Sequence, residues 1–260
     1  MNRIKSRFDL TGKVAIVTGA SKGIGESIAR GFAEFGAHVV VSSRKQVAVD
    51  EVAESFTKDG LSAIGIECHV AKDDHRKALV EKTLEKYGRV DILVNNAGTN
   101  PYFGPIDQMP LELYQKTMDI NMTSCIALSN LVYPHMKKQG GGSIIHVSSV
   151  EGLHATAMFA AYNISKAALI MLMKNQAAEW GKDNIRVNAI CPGFVKTKLS
   201  AGIWQNEGIY NAMMKNIPLK RMAEPDEMAG LACYLASDAG SYCTGESHVN
   251  DGGIMHAPWY

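Results

Sequence analysis

Thr18-Gly19-Ala20-Ser21-Lys22-Gly23-Ile24-Gly25 is the stretch that decides the fold of this 260-residue chain. Before it, residues 13–18 form a compact run rich in β-branched side chains that stops at Gly19, the pattern of a buried strand entering a turn. After it, Ile24, Ile28, Phe32 and Phe35 recur at helical spacing, and Gly36 closes the segment as a C-terminal cap. A strand, a glycine-rich turn and a helix in that order give the glycines a purpose. Gly19 permits the tight turn, while Gly23 and Gly25 let the backbone approach a pyrophosphate at the positive end of the helix. The plainer alternative is a βα connection that uses glycine for geometry alone.

The same rhythm continues outward. Further strands are expected at 37–41, 63–66, 90–94, 143–147, 185–189 and 247–250, with helices at 73–87, 111–138, 161–181 and 225–236. Strands rich in Val and Ile and separated by helices pair in parallel and are covered on both faces. The expected fold class is therefore α/β, a doubly wound, mostly parallel seven-stranded sheet. No linker, low-complexity tract or repeat divides residues 1–260, so a single domain is expected. Residues 193–215 break the rhythm after Pro192-Gly193 and read as a mobile flap over the substrate.

Composition excludes several classes. A formal net charge of +1 argues against a nucleic-acid or membrane-surface role, since either usually brings a basic excess. The five cysteines are scattered, with no Cys-x-x-Cys and no Cys/His cluster at ligand spacing, so they read as free thiols in a reducing compartment and no metal is expected. No apolar run reaches the roughly twenty residues that span a bilayer, and residues 1–10 lack the hydrophobic segment of a secretory signal. The expectation is a cytoplasmic protein.

A second stretch carries chemistry: Tyr162-Asn163-Ile164-Ser165-Lys166. Four residues apart on a helix, Tyr162 and Lys166 leave the same face one turn apart. A phenol titrates near pH 10, so it exchanges its proton at neutral pH only where a fixed positive charge favours the phenolate. Lys166 supplies that charge. A lone Tyr-x-x-x-Lys also arises readily by chance among nine tyrosines.

The spacing Gly-x-x-x-Gly-x-Gly departs from the commoner Gly-x-Gly-x-x-Gly and resembles the short-chain dehydrogenase/reductase family, whose Thr-Gly-x-x-x-Gly-x-Gly this chain reproduces. Asn95-Asn96-Ala97-Gly98, Asn121, Ser149, Tyr162 with Lys166, and Pro192-Gly193 with Thr197 follow in family order, so the resemblance covers nearly the whole chain. It implies a Rossmann fold and direct hydride transfer between a nicotinamide and a carbonyl carbon. Tyr162 would be the general acid/base, Ser149 the hydroxyl that orients the carbonyl, and Asn121 the anchor of a water in a proton relay. Lys166 would hold the nicotinamide ribose and lower the Tyr162 pKa. Gly19, Ser21, Lys22, Gly23, Ile24 and Gly25 would bind the cofactor phosphates. Asn95, Ala97 and Gly98 would wall the adenosine side, and Pro192, Gly193, Val195 and Thr197 would close on the carboxamide and pyrophosphate.

Cofactor choice is written at the end of the second strand, where an acid would grip the ribose hydroxyls of NAD. Ser43-Arg44-Lys45 stands there instead, and Arg44 with Lys22 suits a 2′-phosphate, so NADP(H) is expected. Surface solvation is the bland reading of the same charges. Where the family commonly has an Asp before an apolar residue to hold adenine, this chain has His69-Val70.

Tyr102, Phe103, Val150, Glu151, His154, Phe159 and Trp204 are the candidate substrate walls. They favour a neutral, fairly hydrophobic ketone, aldehyde or alcohol. Glu151 and His154 either bond a substrate hydroxyl or face an interface. Within the family, His38 to Gln46, Cys68-His69-Val70 and Asn100-Pro101 before an aromatic resemble the NADPH-dependent carbonyl and retinal reductases. Some of those carry a peroxisomal C-terminal tripeptide, which Ala257-Pro258-Trp259-Tyr260 does not reproduce. The resemblance also implies a homotetramer, with that apolar tail suited to an interface. The rival readings are a 3-oxoacyl thioester (acyl-carrier-protein) reductase, for which Lys196 and Lys198 would meet the carrier, and a non-catalytic dinucleotide-binding sensor.

Overall fold

The computed structural model describes residues 3–256; the tail at 257–260, expected at an interface, lies outside them. The first strand, β1 (Val14–Thr18), is buried along its whole length. Its side chains alternate, so Ala15 and Val17 join one apolar cluster with Ile28, Phe32 and Phe56, while Ile16 joins another with Leu79, Leu128 and Val132. Two cores, one on each face of the sheet, are what the unbroken apolar strands require.

In chain order the elements are α1 (Gly23–Glu34), β2 (His38–Ser43), α2 (Gln46–Lys58), β3 (Ala63–Glu67), α3 (Asp73–Tyr87), β4 (Ile92–Asn95), α4 (Leu111–Met118), α5 (Ser124–Lys138), β5 (Gly142–Val147), α6 (Ala160–Trp180), β6 (Ile185–Pro192), α7 (Ala201–Trp204), α8 (Glu207–Met214), α9 (Ala229–Ala236) and β7 (Ser247–Asn250). The strands form one sheet of order β3-β2-β1-β4-β5-β6-β7. Every pairing is parallel, where a mostly parallel sheet was expected. Ile16 lies opposite Val40 on one side and Leu93 on the other. The chain winds outward from β1 in one direction and from β4 in the other, so a crevice opens at their carboxyl ends.

Three segments differ from the sequence reading. The helix α2 buries Val49, Val52, Ala53 and Phe56, but its valines and the exposed Val47 blur the helical period. The stretch expected as one helix at 111–138 is interrupted by a wide π turn at Asp119–Thr123. The expected flap carries two short helices, α7 and α8, over a small apolar cluster of Met214, Ile217 and Met222 packed by Phe194, Ile203 and Tyr210.

Candidate active site

The phosphate loop is held by side chains from both central strands. Gly19 and Gly23 adopt positive φ angles of 64° and 62°, conformations that favour glycine. A Cβ at Gly19 would stand 2.9 Å from both Ala97 Cα and Asn96 Nδ2, and one at Gly25 would collide with Asn96 Nδ2. Asn96 Nδ2 donates to the carbonyls of Thr18 (2.9 Å) and Gly19 (3.1 Å). Thr18 Oγ1 in turn accepts from the backbone N–H groups of Asn96 and Ala97 at 3.0 and 3.1 Å. Sequence reasoning overlooked the brace Asn96, although it sits inside the Asn-Asn-Ala-Gly motif. Asn95 is placed differently: its side chain is buried, with Nδ2 at 3.3 Å from both Ser129 Oγ and His146 Nδ1.

Beyond β2, Arg44 and Lys45 are exposed, as is Lys22 at the start of α1. Among the described residues, no side-chain hydrogen bond or ion pair engages any of the three. Arg44 and His69 line one end of a cleft of about 600 Å³, opposite Gln115, Lys116 and Ile120. Burial, aided by Arg44 and Lys72, holds the His69 imidazole below its ordinary pKa, and its Nδ1 accepts from Ala71 N at 3.3 Å. Val70 is buried, its carbonyl bound by Arg76 at 2.6 Å. Ser43 and Ser21 are partly exposed, and Ile24 packs on the core. A Cβ at Gly23 would stand 3.3 Å from Thr197 Cγ2, so the segment after β6 leans over the loop. Val195 in that segment bridges to Ala223, and Gly193 passes so close to Asp251 that a Cβ would stand 2.8 Å from its Cα.

At the end of β5 the two adjacent serines diverge, as strand alternation requires. Ser148 Oγ donates to the Lys166 carbonyl at 2.9 Å, whereas Ser149 Oγ accepts from Glu151 N at 3.1 Å. The first turns of α6 bring Tyr162 and Lys166 to the same place, with Lys166 Nζ 5.5 Å from the centre of the Tyr162 ring. Lys166 is buried and donates to the Val147 carbonyl at 2.7 Å. Burial pushes its pKa down to about 8.

The expectation that Lys166 lowers the Tyr162 pKa meets a different balance. Burial pushes the phenol up to about 12, with Ser149 pulling it down and Glu151 and Cys191 adding to the rise. The lysine is directed at Val147 and its own charge is weakened by burial, so desolvation of the phenolate wins.

Asn121 sits on the wide turn and is fully buried. Its Oδ1 accepts from Thr99 N at 2.8 Å, and its Nδ2 donates to the Thr99 carbonyl at 2.9 Å and to Ser165 Oγ at 3.0 Å. That amide pins the strand-end loop to α6. A Cβ at Gly98 would stand 3.6 Å from Asn121 Oδ1 and 3.7 Å from Lys166 Nζ, so glycine keeps the approach to both groups open.

The expected substrate walls fall into two groups, with Tyr102 and Trp204 apart from both. Phe103 meets Phe159 edge to face at 5.0 Å, and Gly104 N bonds the Met158 carbonyl at 3.0 Å. Glu151, His154 and Thr156 cluster beside Ser149, with buried Val150 carrying the His154 Nδ1 contact on its carbonyl at 3.0 Å. Tyr102 turns its hydroxyl back onto the Pro105 carbonyl (2.7 Å), and Trp204 donates its indole N–H to the Thr197 carbonyl (2.9 Å).

Residues 19–255 match the family model described as enoyl-(acyl carrier protein) reductase. The human protein "Dehydrogenase/reductase SDR family member 4" is 42% identical over 247 residues, covering 95% of this chain and 89% of its own length. This chain belongs to the short-chain dehydrogenase/reductase family. Among solved family structures, gluconate 5-dehydrogenase from Burkholderia cenocepacia J2315, in complex with NADP and tartrate, is 32% identical. Its TM-score is 0.93, with 97% of this chain and 99% of that chain covered. A 7α-hydroxysteroid dehydrogenase complexed with NADH and 7-oxo glycochenodeoxycholic acid is 35% identical with a TM-score of 0.92, covering 96% of each chain. As a family member, the chain is an NAD(P)-dependent oxidoreductase acting on CH–OH groups.

Proposed function

We propose that the chain is an NADP(H)-dependent carbonyl reductase that interconverts a ketone or aldehyde and its alcohol. The observation that carries the reading is the convergence of Ser149, Tyr162 and Lys166 at one end of β5 and α6, beside the glycine cradle of β1 and β4. The cradle fits a dinucleotide, because the positive φ angles of Gly19 and Gly23 turn the loop at the N-terminal end of α1 and Gly98 leaves the space beside Lys166 Nζ without a Cβ. Bound NADP(H) supplies or accepts the hydride.

The remaining work belongs to the chain. Ser149 Oγ donates to the carbonyl oxygen and orients it toward Tyr162. Tyr162 gives that oxygen its phenolic proton in reduction and takes one from the alcohol in oxidation. Lys166 holds the ribose hydroxyls and the positive potential of the site, and the wide turn at Asn121 lines the route by which a water returns protons from solvent. Gly19, Ser21, Lys22, Gly23, Ile24 and Gly25 bind the pyrophosphate side, with Thr197 above them. Arg44 and Lys22 take the 2′-phosphate, and Lys45 and Ser43 border it. The NADP in the gluconate 5-dehydrogenase structure is consistent with this choice, whereas the NADH in the hydroxysteroid dehydrogenase shows that the fold serves both. The assembly we propose, from the family resemblance alone, is a homotetramer.

The thioester reductase remains the second reading, favoured by the description of the matching family model. Lys196, one of the two lysines proposed to meet a carrier protein, is already paired with Glu224 at 2.6 Å, which weakens that case. Initial rates on aryl ketones and on an acetoacetyl thioester, each with NADPH and NADH, test the proposal. Higher kcat/KM for aryl ketones with NADPH is expected. A preference for the thioester would replace the carbonyl-reductase reading with the second one.

A further inference from the structure

His69 stands just past the end of β3, at the position where the family commonly carries an acid that holds the amino group of adenine. Its ring is half-buried, and the chain around it fixes its orientation. The His69 backbone N–H bonds to His75 Nδ1 at 3.4 Å, and Ala71 N donates to His69 Nδ1 at 3.3 Å. A ring nitrogen that accepts carries no proton, so the neutral imidazole holds its hydrogen on Nε2. Burial, with Arg44 and Lys72 nearby, favours that neutral form. Nε2 has no hydrogen-bond partner among the described residues, and it is open to solvent.

The same ring lines the cleft of about 600 Å³ that Arg44 shares, with Glu112, Gln115 and Lys116 of α4 across it. A cleft of that size at the carboxyl ends of β2 and β3 suits a purine nucleoside. Acid and imidazole would read the purine differently. A carboxylate is acceptor-only: it pairs with the 6-amino group of adenine and repels the 6-oxygen of hypoxanthine. The Nε2–H group of His69 is a donor. It suits the 6-oxygen of hypoxanthine or an unprotonated ring nitrogen of either base, and it gains nothing from a 6-amino group.

We infer that His69 is a specificity-determining residue that donates from Nε2 to the purine edge of the dinucleotide, so that the site takes 6-oxopurine dinucleotides as readily as adenine ones. The inference rests on the dinucleotide-dependent reading above and deepens it at the base.

The test is binding, followed by the fluorescence of the reduced nicotinamide. NADPH, NADH and their hypoxanthine counterparts, in which a 6-oxygen replaces the 6-amino group, are titrated into the wild type, His69→Asp and His69→Glu. Within each pair the phosphates and the nicotinamide are the same, so the Kd ratio isolates the base. The wild type is expected to bind the hypoxanthine form within about threefold of the adenine form, or more tightly. His69→Asp, which puts an acceptor in place of the donor, should weaken the hypoxanthine form relative to the adenine form by roughly 10-fold to 100-fold. His69→Glu makes the same exchange with a longer side chain. The wild-type ratio needs no variant, so the inference can fail even where a substitution disturbs folding.

A wild type that binds the hypoxanthine form more than about tenfold more weakly than the adenine form would overturn the inference, as would wild-type ratios in both folded variants. Tighter binding of NADH than of NADPH would refute the 2′-phosphate assignment, and the base ratio within each series would still support or overturn the role of His69. Absence of binding by all four dinucleotides would bring down the dinucleotide reading and this inference together.

Discussion

At Arg44 the chain offers a rigid, exposed guanidinium at the position where an NAD-selective site would carry an acid. Arg44→Asp is expected to weaken NADPH binding by roughly 10-fold to 100-fold, as loss of a charge-assisted hydrogen bond implies, and to spare NADH. Fluorescence titration with both cofactors checks this, and equal losses would remove Arg44 from the 2′-phosphate site. A second residue-scale prediction concerns pH. The proposed base Tyr162 would act only as phenolate, and its phenol is pushed up to about 12, so alcohol oxidation should rise with pH through the alkaline range. Glu151 and Cys191 favour the protonated phenol and Ser149 opposes them, while Lys166 stands alongside. Neutralising Glu151 as Glu151→Gln stabilises the phenolate, so the alkaline limb should move to lower pH; a limb that stays in place or moves up would contradict this electrostatic account. Residue types were legible in the sequence here, but orientations were less so. Asn95 and Asn96 are adjacent and identical, and only strand register turns one into the interior and the other onto the phosphate loop.

Among the elements, the joint between β1, α1 and β4 depends on Asn96, whose amide closes two carbonyls of the phosphate loop. Asn96→Ala should cost about 1–3 kcal/mol of stability and loosen both cofactors alike. Urea unfolding and parallel NADPH and NADH titrations check it, and a selective loss of NADPH would point to a different role. The strand and helix alternation was readable because apolar period and glycine punctuation reinforce one another along β1 and α1. The π turn at Asp119–Thr123 was not, since one extra residue in a turn leaves the apolar pattern on either side looking continuous. The helices α7 and α8 were hidden for another reason: one or two turns are too short to display a period, and their cluster around Met214 and Ile217 forms only in three dimensions.

Across the whole molecule, the sheet order follows from parallel crossovers that reverse direction between β1 and β4, which is why the fold could be read from the strand and helix alternation, with the proposed site at the strands' carboxyl ends. What holds the far side of the sheet was invisible in sequence. Arg186 on β6 is partly buried and donates to the carbonyls of Leu235 (2.7 Å), Gly240 (2.9 Å), Ser237 and Cys243 (both 3.3 Å), tying the sheet to α9 and the turns after it. Arg186→Met should lower stability by about 2–4 kcal/mol by orphaning those acceptors, and a urea midpoint equal to wild type would contradict the assignment. None of the described helices is long and apolar enough to cross a membrane. Tyr162 is the proposed proton-transfer group of a dinucleotide-dependent carbonyl reduction. The most direct measurement is single-turnover reduction of an aryl ketone by Tyr162→Phe preloaded with NADPH. A rate reduced by roughly 10²–10⁴-fold with NADPH affinity preserved is the predicted result, and turnover near the wild-type rate would contradict it.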